Sequence, residues 1–305
     1  MLFGKLAVTS LLIFALVRTI DLQALGAAVA HLPAAALAYA WALTLLQCAL
    51  LGCRWQRIVV RLGGNLSLPL AMHWTAVGIF FNQALPSSIG GDVMRVWLLG
   101  RHGARSGIAV RSVLVERVTG IVTLGMLVSA CAAWTANPAV PSEVQIALML
   151  AGPGLITCVA AALLIGRAAA GLLPQAFGER VEHLTVSFAT IVGSPAAGLE
   201  MALFGAAASL SGLAAAWVLG YSLGIEASLP TYIAFVGGAI LLAVLPISIG
   251  GWGLREASIV LLFSWIGAQR EPVLAMSLIW ALLPIAVSAP FALVWALTNR
   301  GTRLQ

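Results

Sequence analysis

Two stretches 160 residues apart carry nearly the same pattern. Leu85-Pro86-Ser87-Ser88-Ile89-Gly90-Gly91-Asp92-Val93-Met94-Arg95 returns as Leu245-Pro246-Ile247-Ser248-Ile249-Gly250-Gly251-Trp252-Gly253-Leu254-Arg255. The matches include Pro, Ser, Arg and a Gly pair, which are scarcer in this chain than Ala or Leu, so chance is a poor explanation. Each copy interrupts an apolar run. Pro/Gly-broken hydrophobic segments at corresponding places in two halves are the sequence mark of a transporter site.

The rest of the chain fits a membrane setting. Only 9% of the 305 residues are charged, 61% are hydrophobic, and the mean hydropathy is +1.04. Soluble domains carry about 25% charged residues, and no polar stretch here is long enough for a separate soluble catalytic domain. The net charge of +6 is almost all arginine, Lys5 being the one lysine. In a membrane protein such an excess orients loops and meets anionic headgroups, so nucleic acid is not expected as a partner. Cys48, Cys53, Cys131 and Cys158 form no C-x-x-C pair and read as packing residues. His31, His102 and His183 are scattered, His73 reads as a hydrogen-bonded core histidine, and neither a metal nor a cofactor is expected.

Apolar runs of near the ~20 residues that cross a bilayer predict spans at 3–20, 34–53, 113–136, 144–166, 199–220 and 273–297. Lys5 and the run to Val17 resemble a signal peptide, but Arg18 and Asp21 separate them too far from Ala28-Val29-Ala30, so an uncleaved helix is expected. Arg54, Arg57 and Arg61 read as a cytoplasmic loop after the second span. Arg95, Arg101, Arg105, Arg111 and Arg117 follow the run 68–86. A single crossing between these clusters would put one on the wrong side, so a hairpin that enters and returns is expected, turning at Pro86 to Gly91. The stretch 167–198 has helical spacing of Phe177, Val181, Leu184 and Phe188. It reads equally as an interfacial helix or a solvated connector.

The expected fold is an all-α polytopic membrane protein: an inverted-topology repeat with two Pro/Gly-broken re-entrant helical hairpins. Residues 1–305 form one membrane domain with repeat halves at 34–136 and 199–297, because three crossings separate the starts of the two copies. The second broken element, 231–268, reads either as re-entrant or as two full spans. Both termini are expected on the cytoplasmic side of a bacterial inner membrane.

Buried ions single out the candidate site. An arginine at the centre of a span costs about 2.5–3.5 kcal/mol on insertion scales; Arg95 and Arg255, at equivalent places, need partners. Asp92 lies three residues before Arg95, a helical pairing distance, and suits the positive end of the helix it begins. Glu116 is a further candidate partner, whereas adjacent Arg255 and Glu256 are expected to point apart. The candidate binding residues are Asn82, Ser87, Ser88, Gly90, Gly91, Asp92, Arg95, Glu116, Arg117, Ser248, Gly250, Gly251, Arg255 and Glu256. The serines and Asn82 equally well cap freed backbone, and the glycines and prolines equally well make a structural kink.

Asn82, Leu85-Pro86, Gly90-Gly91-Asp92, Arg95, Glu116-Arg117, Leu245-Pro246, Gly250-Gly251 and Arg255-Glu256 together resemble the transmembrane region of lysylphosphatidylglycerol synthases, over nearly the whole chain. The resemblance implies a flippase-type domain of two inverted halves that moves lipid between leaflets. It places the family's charged motif on Asp92, Arg95, Glu116, Arg117, Arg255 and Glu256. Relatives that synthesise the lipid carry a soluble aminoacyltransferase domain after this region. The chain stops at Gln305, so a stand-alone, non-enzymatic translocase is expected, with an anionic phospholipid or an isoprenoid-type lipid as partner. Two other readings stay open: a membrane-embedded enzyme acting on a lipid phosphate, and an accessory subunit. No H-E-x-x-H or G-x-S-x-G supports the enzyme. Self-association as a homo-oligomer is also left open.

Overall fold

Backbone polar groups in hydrocarbon must be satisfied within the chain, and the described residues do this with helices alone. A computed structural model describes residues 21–84, 89–135, 137–169, 174–245, 248 and 250–300. The expected span 3–20, together with Pro86, Ser87, Ser88, Pro246 and Ile247, lies outside them. The helices are α1 (Leu22–Ala30), α2 (Ala34–Arg61), α3 (Leu68–Ala84), α4 (Gly90–Arg101), α5 (Ser106–Trp134), α6 (Ser142–Ala169), α7 (Gln175–Val192), α8 (Pro195–Ser222), α9 (Leu229–Ala243), α10 (Leu254–Trp265) and α11 (Arg270–Arg300). Five of them, α2, α5, α6, α8 and α11, are long and apolar enough to cross a membrane. The protein is an all-α polytopic membrane protein.

Two hairpins of short helices sit between the long ones. α3 and α4 run back along each other: Gly91 lies against Gly78, and His102 meets the Trp74 ring. α9 and α10 do the same, with Gly251 against Ala243 and Phe263 against Tyr232. With 15 and 12 residues, α9 and α10 are about 22 and 18 Å long at 1.5 Å per residue, less than the ~30 Å of a bilayer core.

The long helices pack in matched pairs. α2 and α8, both 28 residues, lie antiparallel: Ser211 donates to the Leu43 carbonyl at one end, and Arg61 pairs with Glu200 at the other. α3 packs on α11 and α9 packs on α5. The apolar core divides accordingly. One cluster, with Tyr232, Phe263 and Leu219, surrounds the α9–α10 hairpin; a second, with Trp55, Val77 and Leu99, surrounds α3–α4, and smaller ones gather around Ile58 and Cys48.

Two expectations are corrected. α2 does not stop at 53 but continues to Arg61, because Ile58, Val59 and Val60 extend its apolar face; Ile58 and Val59 are fully buried. Arg54 is therefore a buried helix residue and not a loop cation. Arg95 and Arg117 lie inside helices α4 and α5, as the helical spacing of Asp92 and Arg95 and the predicted span 113–136 had them. The stretch after α6 does form a helix, α7, joined to α5 through Arg111, which donates to the His183 carbonyl and to Ser187.

Candidate functional site

The ion cluster begins with the close approach of α3 and α4. Gly78 and Gly91 face each other so tightly that a Cβ on Gly91 would overlap the Gly78 carbonyl. Asn82 fixes the start of α4 by accepting from the Gly91 N–H at 2.8 Å, the capping role open to it in the sequence. That registry sends Asp92 and Arg95 inward, where they are 6% and 7% exposed.

Five side chains then alternate in sign. Arg117 pairs with Asp92 Oδ2, and Asp92 Oδ1 accepts from Arg95 at 2.8 Å. Arg95 reaches Glu116 Oε2 at 2.9 Å, and Glu116 Oε1 lies 3.3 Å from Arg54. Arg54 also donates to the Glu116 carbonyl at 2.5 Å. The Arg95 guanidinium lies 5.2 Å from the centroid of Trp55, whose indole N–H donates to Ser112. Arg54 passes between two glycine notches: a Cβ on Gly120 or Gly205 would come within 2.8 or 2.9 Å of its guanidinium. The carboxylate of Asp92 is thus occupied by arginines rather than by the end of its helix.

Three cations against two carboxylates leave an excess positive charge. Burying an uncompensated charge is costly, and here the charges border open space. A cavity of about 260 Å³ is lined by Arg54, Asp92, Arg95, Glu116 and Arg117, with Thr75, Asn82, Gly120 and Gly205. Two groups on its wall are buried without a hydrogen-bond partner among the described residues: Arg54 Nε and Thr75 Oγ1. Thr75 is the odd one out, since Thr44, Thr119 and Thr123 each donate to the carbonyl four residues earlier. A neighbouring cavity of about 290 Å³ shares Gln47, Leu51, Ile79, Asn82 and Arg117 with the first. It adds Thr44, Gln83, Ser288 and Gly250.

The second motif folds differently from the first. Gly90 and Gly91 already belong to α4, whereas Gly250, Gly251 and Gly253 adopt φ of 61°, 81° and 81° and form a left-handed turn, delaying the helix to Leu254. Only glycine takes such φ freely. Arg255 therefore sits in the first turn of its helix. Glu256 reaches back to accept from the Gly253 N–H at 2.7 Å, and Arg255 curls onto the same carboxylate at 2.5 and 3.0 Å. The pair does not point apart, because no preceding turn of helix blocks the curl. Trp252 and Trp280 flank the Arg255 guanidinium at 5.3 and 5.4 Å.

The structure thus brings together Asn82, Asp92, Arg95, Glu116 and Arg117, with Gly91 packed behind them and Gly250 on the adjoining cavity. Gly90, Gly251, Arg255 and Glu256 do not line either cavity. Ser248 is buried with no partner for its hydroxyl among the described residues, so it does not cap backbone there. Ser87 and Ser88 lie outside the described residues. His73 makes no hydrogen bond among the described residues and rests against Phe291, ring centroids 6.0 Å apart. Arg54 is the member that sequence reasoning missed.

No curated protein matches the sequence. The family description "Lysylphosphatidylglycerol synthase TM region" matches residues 2–291, which span the whole ion cluster and both hairpins. The chain belongs to the lysylphosphatidylglycerol synthase transmembrane-region family.

Proposed function

We propose that the protein is a non-enzymatic lipid translocase, which moves an anionic lipid between leaflets by receiving its phosphate at the cavity bordered by Arg54, Arg95 and Arg117. The observation that carries this reading is the alternating five-residue ion chain, with three guanidinium groups and two carboxylates on one cavity wall. Guanidinium groups suit phosphate oxygens in geometry and charge. The headgroup crosses beside these groups while its tails remain in lipid.

The working parts would be two inverted halves, 34–136 and 199–297, within one membrane domain, each with a re-entrant hairpin. What supports the inversion is that the sequence-equivalent helices α2 and α8 lie antiparallel and that the pairing of α3 with α11 is mirrored by α9 with α5. The cluster would sit below one membrane face. Arg54 is seven residues from Arg61 and Arg95 six from Arg101, about 10 Å along each helix. The arginines at those helix ends, with Arg105, favour that face as cytoplasmic. The C-terminal end of α11 joins it, since Trp295 meets Trp97. On this reading both termini would lie in the cytoplasm of a bacterial cell.

Reconstitution tests the reading. Vesicles containing the protein should move a fluorescent anionic phospholipid across the bilayer faster than empty vesicles, and Arg117→Gln should slow it at least tenfold. Arg117 is 37% exposed at the cavity edge and Asp92 keeps Arg95 as a partner without it, so the variant should still fold. Movement at the empty-vesicle rate by the folded wild-type protein would sink the proposal.

A further inference from the structure

We infer that the cavity at the ion chain holds a small monovalent inorganic anion, a halide, seated beside Arg54 and Thr75. The ion is a ligand in its own right, and its seat does not depend on the translocase reading.

Charge is the first reason. Arg54, Arg95 and Arg117 line the cavity against Asp92 and Glu116, which leaves one positive charge over. All ten acids of the chain are among the described residues, and only these two line either cavity. The spare charge therefore has no carboxylate of the protein to meet it, and a buried charge without a counterion is costly.

The second reason is a set of donors aimed at nothing. Thr75 has the Ala71 carbonyl one helical turn before it, the acceptor its counterparts use, and does not donate to it. Its hydroxyl and Arg54 Nε are buried and without a partner among the described residues, in side chains of residues only 3% exposed. The two residues come from helices that meet closely: a Cβ on Gly52 would lie 2.7 Å from Met72 Cα, and Arg54 and Thr75 follow that contact by two and three residues. Asn82 gives its oxygen to the Gly91 N–H and so keeps its amide N–H groups for the cavity.

Unsatisfied buried groups call for a water or an ion. Water satisfies the donors but leaves the charge standing, whereas an anion answers both. The oxygens of Asp92 and Glu116 are taken by arginines, so the unused groups around Arg54 are donors. A halide carries one charge, matching the excess of one, and accepts from every side. Multiply charged phosphate would overshoot that excess.

The test dialyses the lipid-free full chain, in an uncharged detergent, against radioactive chloride, with gluconate holding the ionic strength constant. About one chloride per chain should bind saturably below ~0.15 M, the ionic strength of cells. Thr75→Val keeps the side-chain shape and should weaken binding at least tenfold, while Thr75→Ser, which restores a hydroxyl, should bind within threefold of wild type. No saturable chloride on the folded chain, or equal binding by wild type and Thr75→Val, overturns the seat. Displacement by inorganic phosphate at concentrations below those of chloride itself reassigns it to an oxyanion and overturns the halide. An anionic phospholipid then separates the seat from the translocase reading. Release of chloride by that lipid supports both. Chloride retained beside bound lipid keeps the halide and counts against a phosphate received there. Lipid bound by a chain that takes no chloride removes the halide and leaves the translocase.

Discussion

Arg54 holds Glu116 at two points, donating to its backbone carbonyl at 2.5 Å and approaching its side-chain Oε1 at 3.3 Å. The grip ties α2 to α5 across 62 residues of sequence. Glu116 in turn carries Arg95, so one carboxylate holds two buried cations from two helices.

Glu116→Gln should therefore be among the most damaging single changes in the chain. Removing one partner of a buried ion pair costs about 3–5 kcal/mol, because the other charge stays buried. Glu116→Gln is expected to lower the unfolding temperature in detergent sharply. Combining it with Arg54→Met should recover part of the loss, and a thermal double-mutant cycle measures the coupling. Strict additivity would count against the pairing.

The contrasting case is Glu200, which meets Arg57 and Arg61 at the protein surface. Arg57 is 58% exposed in its side chain. Exposed pairs are worth about 0–1 kcal/mol, so Glu200→Ala should leave the unfolding temperature within two or three degrees of wild type. The same thermal assay checks it.

Gly91→Ala should separate α3 from α4. The added methyl would overlap the Gly78 carbonyl and crowd the Asn82 side chain at 2.8 Å, so the helices must part. Both the yield of folded protein and its anionic-lipid binding should fall. Gly100→Ala, nine residues later in the same helix, meets nothing within 4 Å. There the change should be neutral or stabilise by up to ~1 kcal/mol, since Gly is a poor helix former. Size-exclusion profiles of the two variants decide the matter.

Arg255→Lys should cost stability without altering lipid binding by the folded protein. A guanidinium between Trp252 and Trp280 gains from stacking that an ammonium does not reproduce, about 0.5–2 kcal/mol. Loss of lipid binding at unchanged unfolding temperature would place Arg255 in the binding site instead.

Much of this arrangement was legible in the chain, and each part that was not had its own physical cause. The broken segments announced both hairpins, and the three-residue spacing of Asp92 and Arg95 announced their pair. Arg54 was misread because an arginine after an apolar run looks like the start of a loop. The counter-signal was Ile58-Val59-Val60, an apolar continuation between Arg57 and Arg61 that a loop does not need. The Arg255–Glu256 pair was missed because helical geometry separates neighbours by their Cβ directions, a rule that weakens in a first turn. Sequence equivalence of the motifs also hid a difference in backbone: one Gly pair is helical, the other left-handed. The Gly120 and Gly205 notches could not be read at all, since their meaning depends on which side chain passes between them.

Those notches carry a consequence for motion. Gly120 belongs to α5 and Gly205 to α8, and Arg54 is the cluster member that both of them touch. A guanidinium resting on two bare stretches of backbone has no methyl groups to slide past. Were α8 to part from α5, the Gly205 side of Arg54 would open and bare the most deeply buried of the three cluster cations to the cavity.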